Sequence, residues 1–422
     1  MTYIRTFAVT NPKEFKQKML SWANRFSIFC FLDHAVPDNP GTAFDCLLGA
    51  GVAAQFQSWH QTDYTGLKKF AQQEKRWLFG HLSYPTDRRT PGIPFEQQFF
   101  FQPLFVLSLQ GTVCQVIVSA MDAGILFQEI EASKIPDWHS PTTPVTFVSK
   151  DSPESYREKI KALIQHIRRG DCYEINYCQA FRATHLPLDP IALYTALTAV
   201  SPNPFSACYK LNDRYCLCAS PERYLQLQGT QIVSQPIKGT SPRFPNDAAA
   251  DAQSASDLRH SAKEQRENVM VVDLVRNDLS RVCVPGSVRV SELFGIYSFP
   301  QVYQMISTIE GVRRPELDWV DVLEATFPMG SMTGAPKVRV MELIEQFETE
   351  PRGLFSGTIG YIRPDGDADF NVVIRSMFYQ ASTETLEFKV GSGITAYCDP
   401  QSEYEECMWK AAAIRRLLLP EA

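Results

Sequence analysis

The sequence predicts an α+β fold built mainly from antiparallel strands. Apolar segments follow one another as hairpins, as at Phe205–Leu211 and Tyr215–Ala219, which a short Asn-Asp turn separates. Strand patterns at 354–363 and 369–380 flank a second polar turn. Because few strands alternate singly with helices, as parallel β-α-β folds require, an antiparallel arrangement is favoured.

Composition and charge exclude several classes of protein. The chain has 422 residues, of which 44% are hydrophobic and 21% are charged, as is usual for globular proteins. Its net charge of −6 argues against nucleic acid and against anionic membranes as partners. A local cluster of cations is still enough to hold a small anion, so the net charge does not exclude a small anionic ligand.

Cysteine usage predicts a cytoplasmic protein. The 11 cysteines are odd in number, scattered, and form no C-x-x-C pair, and the 7 histidines show no ligand spacing. The first residues carry no signal-peptide pattern. The most apolar stretch, 99–118, is interrupted by glutamines, a proline and a glycine, and it predicts two strands around a turn instead of a membrane span.

The N-terminal 150 residues carry the weaker signals. Apolar runs at 27–32 and 77–80 predict buried strands, and the proline-, serine- and threonine-rich stretch 136–144 predicts a connector. We therefore divide the chain into an N-terminal region, 1–150, and a second region, 151–422, and expect the two to share sheets.

Clearer elements follow the connector. A helix begins at Asp151-Ser152-Pro153-Glu154, with an apolar stripe at 156, 160, 163, 164 and 167. The strand Tyr173–Gln179 places Glu174 and Asn176 on one face. The remaining predicted elements are a helix from Asp189, strands at 223–227 and 231–237, one long helix at about 254–282, strands at 288–290 and 301–309, helices at 317–325 and 335–347, a strand before Gly391, and a final helix after Asp399.

Lys238 is the first residue that could carry chemistry. It ends a strand of apolar or neutral residues, and Gly239 after it lets the backbone approach a ligand. A partly desolvated lysine loses its proton more readily, as an amine nucleophile requires. The alternative is an ordinary lysine that reaches water from the end of a strand.

The loop 327–337 is the second candidate. Its glycines and hydroxyls, Thr333 among them, precede a helix, so its backbone N–H groups could meet an anion. It is not a phosphate-binding Walker loop, because Ala335-Pro336 separate Gly334 from Lys337. A plain structural turn is the alternative.

Helix carboxylates form the third candidate. Glu264 and Glu267 are three residues apart, and Glu403, Glu406 and Lys410 share one helix face. Two glutamates from different helices, with substrate oxygens and waters, would suit Mg²⁺. Solvated helix surface is the alternative.

Arg375 and the predicted bend Gly391-Ser392-Gly393 are the fourth candidate. A guanidinium on an otherwise apolar strand needs a carboxylate, which either a ligand or the protein could supply. Taken together, these residues indicate an enzyme or binder of a small carboxylated ligand.

Five ordered motifs resemble the chorismate-utilising enzymes, which include the anthranilate, aminodeoxychorismate, isochorismate and salicylate synthases. The resemblance runs from about residue 150 to the end and implies a large two-sheet β-sandwich with helices packed outside. The motifs are Ser220–Arg223, Pro236–Arg243 (PIKGTSPR), Glu267–Arg281 (ENVMVVDLVRNDLSR), Phe327–Lys337 (FPMGSMTGAPK) and Gly391–Glu406.

Lys238 places the chain nearest to component I of the aminodeoxychorismate synthases within this family. Anthranilate synthases carry alanine at the matching position of this motif. Isochorismate and salicylate synthases carry a water-activating lysine where this chain has Glu174. The resemblance therefore implies amination of chorismate at C4 to 4-amino-4-deoxychorismate, in folate (para-aminobenzoate) biosynthesis.

The resemblance also implies roles for individual residues. Lys238 would attack C2 of chorismate while Glu222 protonates the leaving 4-hydroxyl, and Mg²⁺ would lie on Glu267 and Glu406 with Glu403 nearby. No cysteine has the glutaminase setting Gly-x-Cys-x-Gly, so we expect free ammonia or a separate glutamine amidotransferase subunit, component II. The implied substrate-binding residues are Gly239, Thr240, Thr333, Arg375, Gly391, Gly393 and Lys410.

Three positions depart from the family pattern. Gln304 stands where a histidine is common, Glu174 replaces a glutamine, and Ser392 interrupts a run of glycines. Two alternatives stay open: an anthranilate synthase component I, and a non-catalytic relative that binds chorismate or tryptophan. The presence of Lys238 argues against an anthranilate synthase. The presence of both Lys238 and Glu222 argues against a non-catalytic relative, because a binding protein would not need a nucleophile and an acid together.

Overall fold

The computed structural model confirms the α+β fold with two large antiparallel sheets. It describes residues 3–34, 44–60, 63–86, 88, 92–118, 121–141 and 144–418. Two residues of the predicted connector, 142 and 143, lie outside these ranges. The proposed boundary at residue 150 stays a prediction, although strands from both sides of it share sheets.

Among the described residues, the first sheet has 11 strands, in the order β1-β8-β7-β3-β2-β10-β11-β20-β21-β9-β17. Its strands are β1 Tyr3–Ala8, β2 Ile28–Asp33, β3 Cys46–Ala50, β7 Phe105–Gln110, β8 Val113–Val118, β9 Glu174–Ala183, β10 Phe205–Leu211, β11 Arg214–Ser220, β17 Gly334–Ala335, β20 Ser376–Gln380 and β21 Thr385–Ile394.

The second sheet has 10 strands within the ranges given above, in the order β14-β16-β13-β12-β19-β18-β5-β6-β4, with β15 paired to β16. Its strands are β4 Ala54–Ser58, β5 Leu78–Leu82, β6 Gln98–Gln102, β12 Arg223–Gln228, β13 Gln231–Gln235, β14 Ile237–Pro242, β15 Arg289–Ser298, β16 Val302–Val312, β18 Thr358–Ile362 and β19 Ala368–Asn371.

The helices pack on the outside of the sheets. A cluster of buried apolar side chains between the sheets joins Tyr209 and Phe378 of the first sheet to Phe79 and Phe101 of the second. Two further clusters join helices to one sheet each. The helices are α1 Pro12–Ala23, α2 Tyr64–Ala71, α3 Ala123–Glu131, α4 Pro153–Arg168, α5 Pro190–Val200, α6 Ala248–His260, α7 Ala262–Ser280, α8 Trp319–Thr326, α9 Lys337–Phe347 and α10 Pro400–Leu417.

Helix α4 shows how local sequence determines an element. The Ser152 side chain caps the helix by accepting a hydrogen bond from Ser155 N, and Pro153 occupies the first turn. All five residues of the predicted apolar stripe are buried. In the part of the chain that the structure describes, no helix is both long and apolar enough to cross a bilayer.

The prediction of one long helix at about 254–282 was wrong in one respect. The chain forms two helices, α6 and α7, which break at Ser261. The extended backbone at Ser261 lets its side chain accept a hydrogen bond from Glu264 N and cap the second helix. The break gives α7 a start of its own, from which Glu264 and Glu267 project.

Predicted strands also differ where the chain changes sheets. The segment 369–380 is two strands in different sheets, and Arg375 between them has a φ of 51°. The stretch 99–118 likewise contributes three strands to two sheets. The predicted bend at Gly391–Gly393 is continuous strand, paired with Cys178, Tyr177 and Asn176 of β9.

Packing of α4 against the first sheet should contribute strongly to stability. Leu163 is fully buried in the cluster between them. We expect Leu163→Ala to lower the free energy of unfolding by about 2–5 kcal/mol, because it leaves a cavity. Urea unfolding measures this, with the exposed Lys161→Ala in the same helix as control. Equal stability of the two variants would contradict the packing.

Candidate active site

One cavity collects most of the residues singled out in the sequence. It has a volume of about 370 Å³, and strands of both sheets and helices α7 and α10 surround it. Ten of the twelve predicted site residues line it: Glu222, Lys238, Gly239, Thr240, Glu267, Arg375, Gly391, Gly393, Glu406 and Lys410.

Two predicted site residues are not among the lining residues found in the described chain. Thr333 is fully buried, and its hydroxyl lies 3.2 Å from Gly330 O and 3.3 Å from Met329 O, so it closes the loop before α9. Its carbonyl accepts a hydrogen bond from Asn176 N, which ties the loop to β9. Glu403 is buried in the first turn of α10.

Lys238 lies in the cavity, with its ammonium group held by a carboxylate. Nζ is 2.5 Å from Glu174 Oε1 and 3.5 Å from Asn176 Oδ1. Burial by itself lowers the pKa of Lys238, but the charges of Glu174 and Glu267 outweigh it, so the pKa lies above its usual value. The expectation that desolvation makes this lysine lose its proton more readily was therefore wrong.

Glu222 is the buried acid of the cavity. It lies in the turn between β11 and β12, and its side chain is almost fully buried. Burial raises the pKa of Glu222 to about 7, against opposing contributions from Ser331 and Lys238. A carboxyl group with this pKa is partly protonated near neutral pH and can donate a proton.

Glycines allow strands to approach the charged groups. A Cβ atom at Gly393 would lie 2.9 Å from Lys238 Nζ and 3.0 Å from Glu174 Oε1, so a larger residue would displace this pair. Gly239 has a φ of 96°, and a Cβ atom there would lie 3.0 Å from Glu264 Oε2. These two positions therefore require glycine for space and, at 239, for conformation.

Acidic residues from two helices face the cavity together. Glu264 and Glu267 come from α7 and Glu406 from α10. Burial raises the pKa of Glu267 to about 7, although the Lys238 charge opposes this. Glu406 is 2.7 Å from Lys410 Nζ, and this cation helps to hold its pKa below the usual value despite burial.

Cations on the remaining wall could hold carboxylates. Lys410 Nζ also donates a hydrogen bond to Gly391 O at 3.0 Å. Arg375 lies where the chain crosses between sheets, and burial lowers the pKa of its guanidinium, although the Glu222 charge opposes this. The cavity therefore offers paired acids and bases next to free space for an anionic ligand.

Several lining residues escaped the sequence analysis. Lys263, Ser331, Lys389 and Trp409 line the cavity but were not assigned roles. Glu264, which also lines the cavity, was singled out with Glu267 as a helix carboxylate but was not assigned a role. Glu387 and Lys389, two residues apart on β21, offered a local signal that the sequence analysis did not use, whereas the contact of Lys389 with Arg352 O forms only in the folded protein.

Comparison with known proteins identifies similar sequences. A family model described as chorismate binding enzyme matches residues 40–416. Aminodeoxychorismate synthase component 1 of Salmonella typhimurium is 42% identical over 265 residues, which are 63% of this chain and 57% of that protein. The protein of the same name from Escherichia coli is 40% identical over 265 residues, 63% of this chain and 58% of that protein.

An anthranilate synthase is also similar. Component 1 from Haloferax volcanii is 38% identical over 272 residues, which are 63% of this chain and 52% of that protein. This chain therefore matches between 52% and 58% of the length of these three relatives.

Solved structures share the fold at low sequence identity. Anthranilate synthase component I from Streptococcus pneumoniae has a TM-score of 0.76 and 24% identity, with 90% of this chain and 94% of that chain covered. The menaquinone-specific isochorismate synthase from Escherichia coli has a TM-score of 0.80 and 18% identity, with 99% of this chain and 94% of that chain covered.

Neutralising Glu222 should change how stability depends on pH. The folded-state pKa of about 7 lies above the ordinary value of 4.5, so between pH 4.5 and pH 7 the folded protein binds more protons at Glu222 than the unfolded chain does, and it loses stability as pH rises through this range. We expect Glu222→Gln to be more stable than the wild type at pH 8, by up to about 3 kcal/mol, and to lose this advantage below pH 4.5. Urea unfolding at both pH values checks this.

The exposed Glu158→Gln in α4 is the control for this comparison. A stability difference for Glu222→Gln that is the same below pH 4.5 as at pH 8 would show that Glu222 is not buried as described.

Proposed function

The chain belongs to the family of chorismate-binding enzymes, and from this premise we propose that it aminates chorismate at C4. The product would be 4-amino-4-deoxychorismate, which enters folate (para-aminobenzoate) biosynthesis. The observation that carries the proposal is the placement of Lys238 and Glu222 in one cavity with carboxylates of α7 and α10. Relatives named aminodeoxychorismate synthase component 1 support this choice within the family.

The reaction proposed for Lys238 is covalent. Once one proton has left Nζ, its lone pair forms a bond to C2 of chorismate, the two ring double bonds shift, and the C4–O bond breaks. Glu222, with a pKa of about 7, gives its proton to the departing 4-hydroxyl, which leaves as water. Ammonia then adds at C4, the double bonds shift back, and the C2–Nζ bond breaks.

Cations of the cavity suit the two carboxylates of chorismate. Arg375 and Lys410 both line the cavity, and neither is fully exposed. We assign them to binding of these carboxylates, because hydrogen bonds between charged donors and carboxylates are stronger than those between neutral groups. They would hold the ring in place for attack by Lys238.

The acidic wall fits Mg²⁺ in company with a substrate. Among the described residues, no three His, Cys, Asp or Glu side chains are placed to hold a metal ion by themselves. Glu267 and Glu406 nevertheless face one cavity from two helices, and burial raises the pKa of Glu267 despite the Lys238 charge, so a further cation would stabilise its ionised form. We assign these two residues to Mg²⁺, with Glu403 behind them. The ion, when bound, would supply a positive charge for a substrate carboxylate.

The proposed reaction consumes ammonia, and we assign no residue of the cavity to its production. We propose a separate glutaminase subunit, component II, or free ammonia in its absence. The printed names of the similar proteins, which call them component 1, support a second component.

Anthranilate formation is the second candidate function. The similarity to anthranilate synthase component 1 from Haloferax volcanii favours it. The products distinguish the two: incubation with chorismate, ammonium and Mg²⁺ should give a non-aromatic aminated product that becomes aromatic only after a downstream lyase is added. A fluorescent aromatic product without the lyase would establish anthranilate formation instead.

Removal of the amine should abolish covalent capture of substrate. We expect Lys238→Ala to keep its fold, to form no adduct with chorismate, and to lose at least about a hundredfold in turnover, because the nucleophile is gone. Mass spectrometry of protein incubated with chorismate and Mg²⁺ without ammonia measures the adduct, with Lys161→Ala as control. The covalent route would be contradicted if neither the wild type nor Lys161→Ala formed an adduct at Lys238.

Loss of one carboxylate should weaken Mg²⁺ binding. We expect Glu267→Gln and Glu406→Gln to raise the Mg²⁺ concentration for half-maximal activity by about tenfold or more, because each removes a charged oxygen ligand. Titration calorimetry with Mg²⁺ and chorismate gives the same comparison without turnover. Unchanged affinity in both variants would exclude these residues as ligands.

A further inference from the structure

A carboxylate, that of Glu174, lies directly against the amine of Lys238. Glu174 is fully buried, and the Lys238 side chain is 11% exposed. The second oxygen of Glu174, Oε2, has no hydrogen-bond partner among the described residues. The ammonium group of Lys238 is therefore the group that neutralises this carboxylate in the described structure.

Strands of both sheets fix this pair. Glu174 begins β9 and is opposite Ala335 of β17 in the first sheet, whereas Lys238 lies on β14 of the second. Gly393 of β21 passes beside both groups, where a Cβ atom would be within about 3 Å of each. Because strands in sheets move little, the two side chains are held together without the help of a flexible loop.

Other acids face Lys238 from the surrounding elements. They are Glu222 from the turn before β12, Glu264 and Glu267 from α7, and Glu406 from α10. The cations Lys263, Arg375, Lys389 and Lys410 line the same cavity. Of the acids, Glu174 is the one for which the described contacts include a hydrogen bond to Nζ.

We propose that Glu174 is a positioning residue that holds Lys238 as an ammonium ion against β9 in the substrate-free protein. An ammonium ion has no lone pair, so Lys238 in this state cannot attack an electrophile. Transfer of one proton from Nζ to Glu174 turns the ion pair into an amine and a carboxylic acid with no change in net charge. The freed lone pair can then form a bond to carbon.

The consequence for turnover rests on the proposed function, but the ion pair can be tested without chorismate. Acetic anhydride reacts only with the neutral amine: the Nζ–C bond forms, the anhydride C–O bond breaks, and acetate and a proton leave. The extent of acetylation at Lys238, measured by mass spectrometry over a pH series, gives the pH midpoint of its reactivity. The exposed Lys161 of α4 is the reference in the same sample.

In the wild type, we expect the midpoint of Lys238 to lie above that of Lys161. Glu174→Gln keeps the shape of the side chain and removes its charge, so it should lower the pH midpoint of Lys238 by at least about one pH unit. At a pH below the midpoint, this shift raises the fraction of neutral, reactive amine about tenfold. Glu174→Asp keeps the charge and should leave the midpoint close to that of the wild type. This pair of variants separates charge from packing.

Two results would overturn the proposal: an unchanged midpoint in Glu174→Gln, or a wild-type midpoint at or below that of Lys161. The comparison of Lys238 with Lys161 in the wild type needs no variant, so it tests the proposal even if Glu174→Gln does not fold. Failure of the proposed function is seen separately, as absence of any aminated product from chorismate with the wild type. A high Lys238 midpoint with no such product would support the ion pair and reject the amination.

Discussion

Balance of buried charge around Lys238 is the constraint on which the candidate site depends. Glu174, Glu222 and Glu267 are removed from water to different extents, and each needs either a proton or a cation. Lys238 supplies the cation for Glu174, while Glu222 and Glu267 are left with raised pKa values. The cavity therefore holds carboxyl groups that a proton or a further cation would stabilise.

The two sheets make this arrangement possible because neither contains the whole site. Lys238 and Gly239 belong to the second sheet, whereas Glu174, Asn176 and Gly393 belong to the first. The helices α7 and α10 then bring acidic side chains over the place where these strands meet. A cavity built this way keeps its charged groups at fixed positions, which favours catalysis that depends on orientation.

The local sequence predicted an element correctly wherever residues of that element stabilise it. The cap and apolar stripe of α4 and the hairpin of β10 and β11 follow from neighbouring residues, and the structure confirms both. Prediction was wrong at Ser261 and at Arg375, where the chain breaks or crosses between sheets. At Ser261 the cap on the second helix is a local signal that the continuing helix pattern masks. At Arg375 the strand pattern continues, and the crossing between the sheets interrupts it.

The sequence by itself determined the fold class, the main helices and strands, and the chemical types of most residues that line the cavity. Only the tertiary structure decided which of them meet. Glu174 lies 64 residues from Lys238, and their contact sets the charge of the amine. Thr333 and Glu403 turn into the protein instead of lining the cavity. Protonation and access depend on neighbours distant in the chain, and residue types and spacing carry no information about such neighbours.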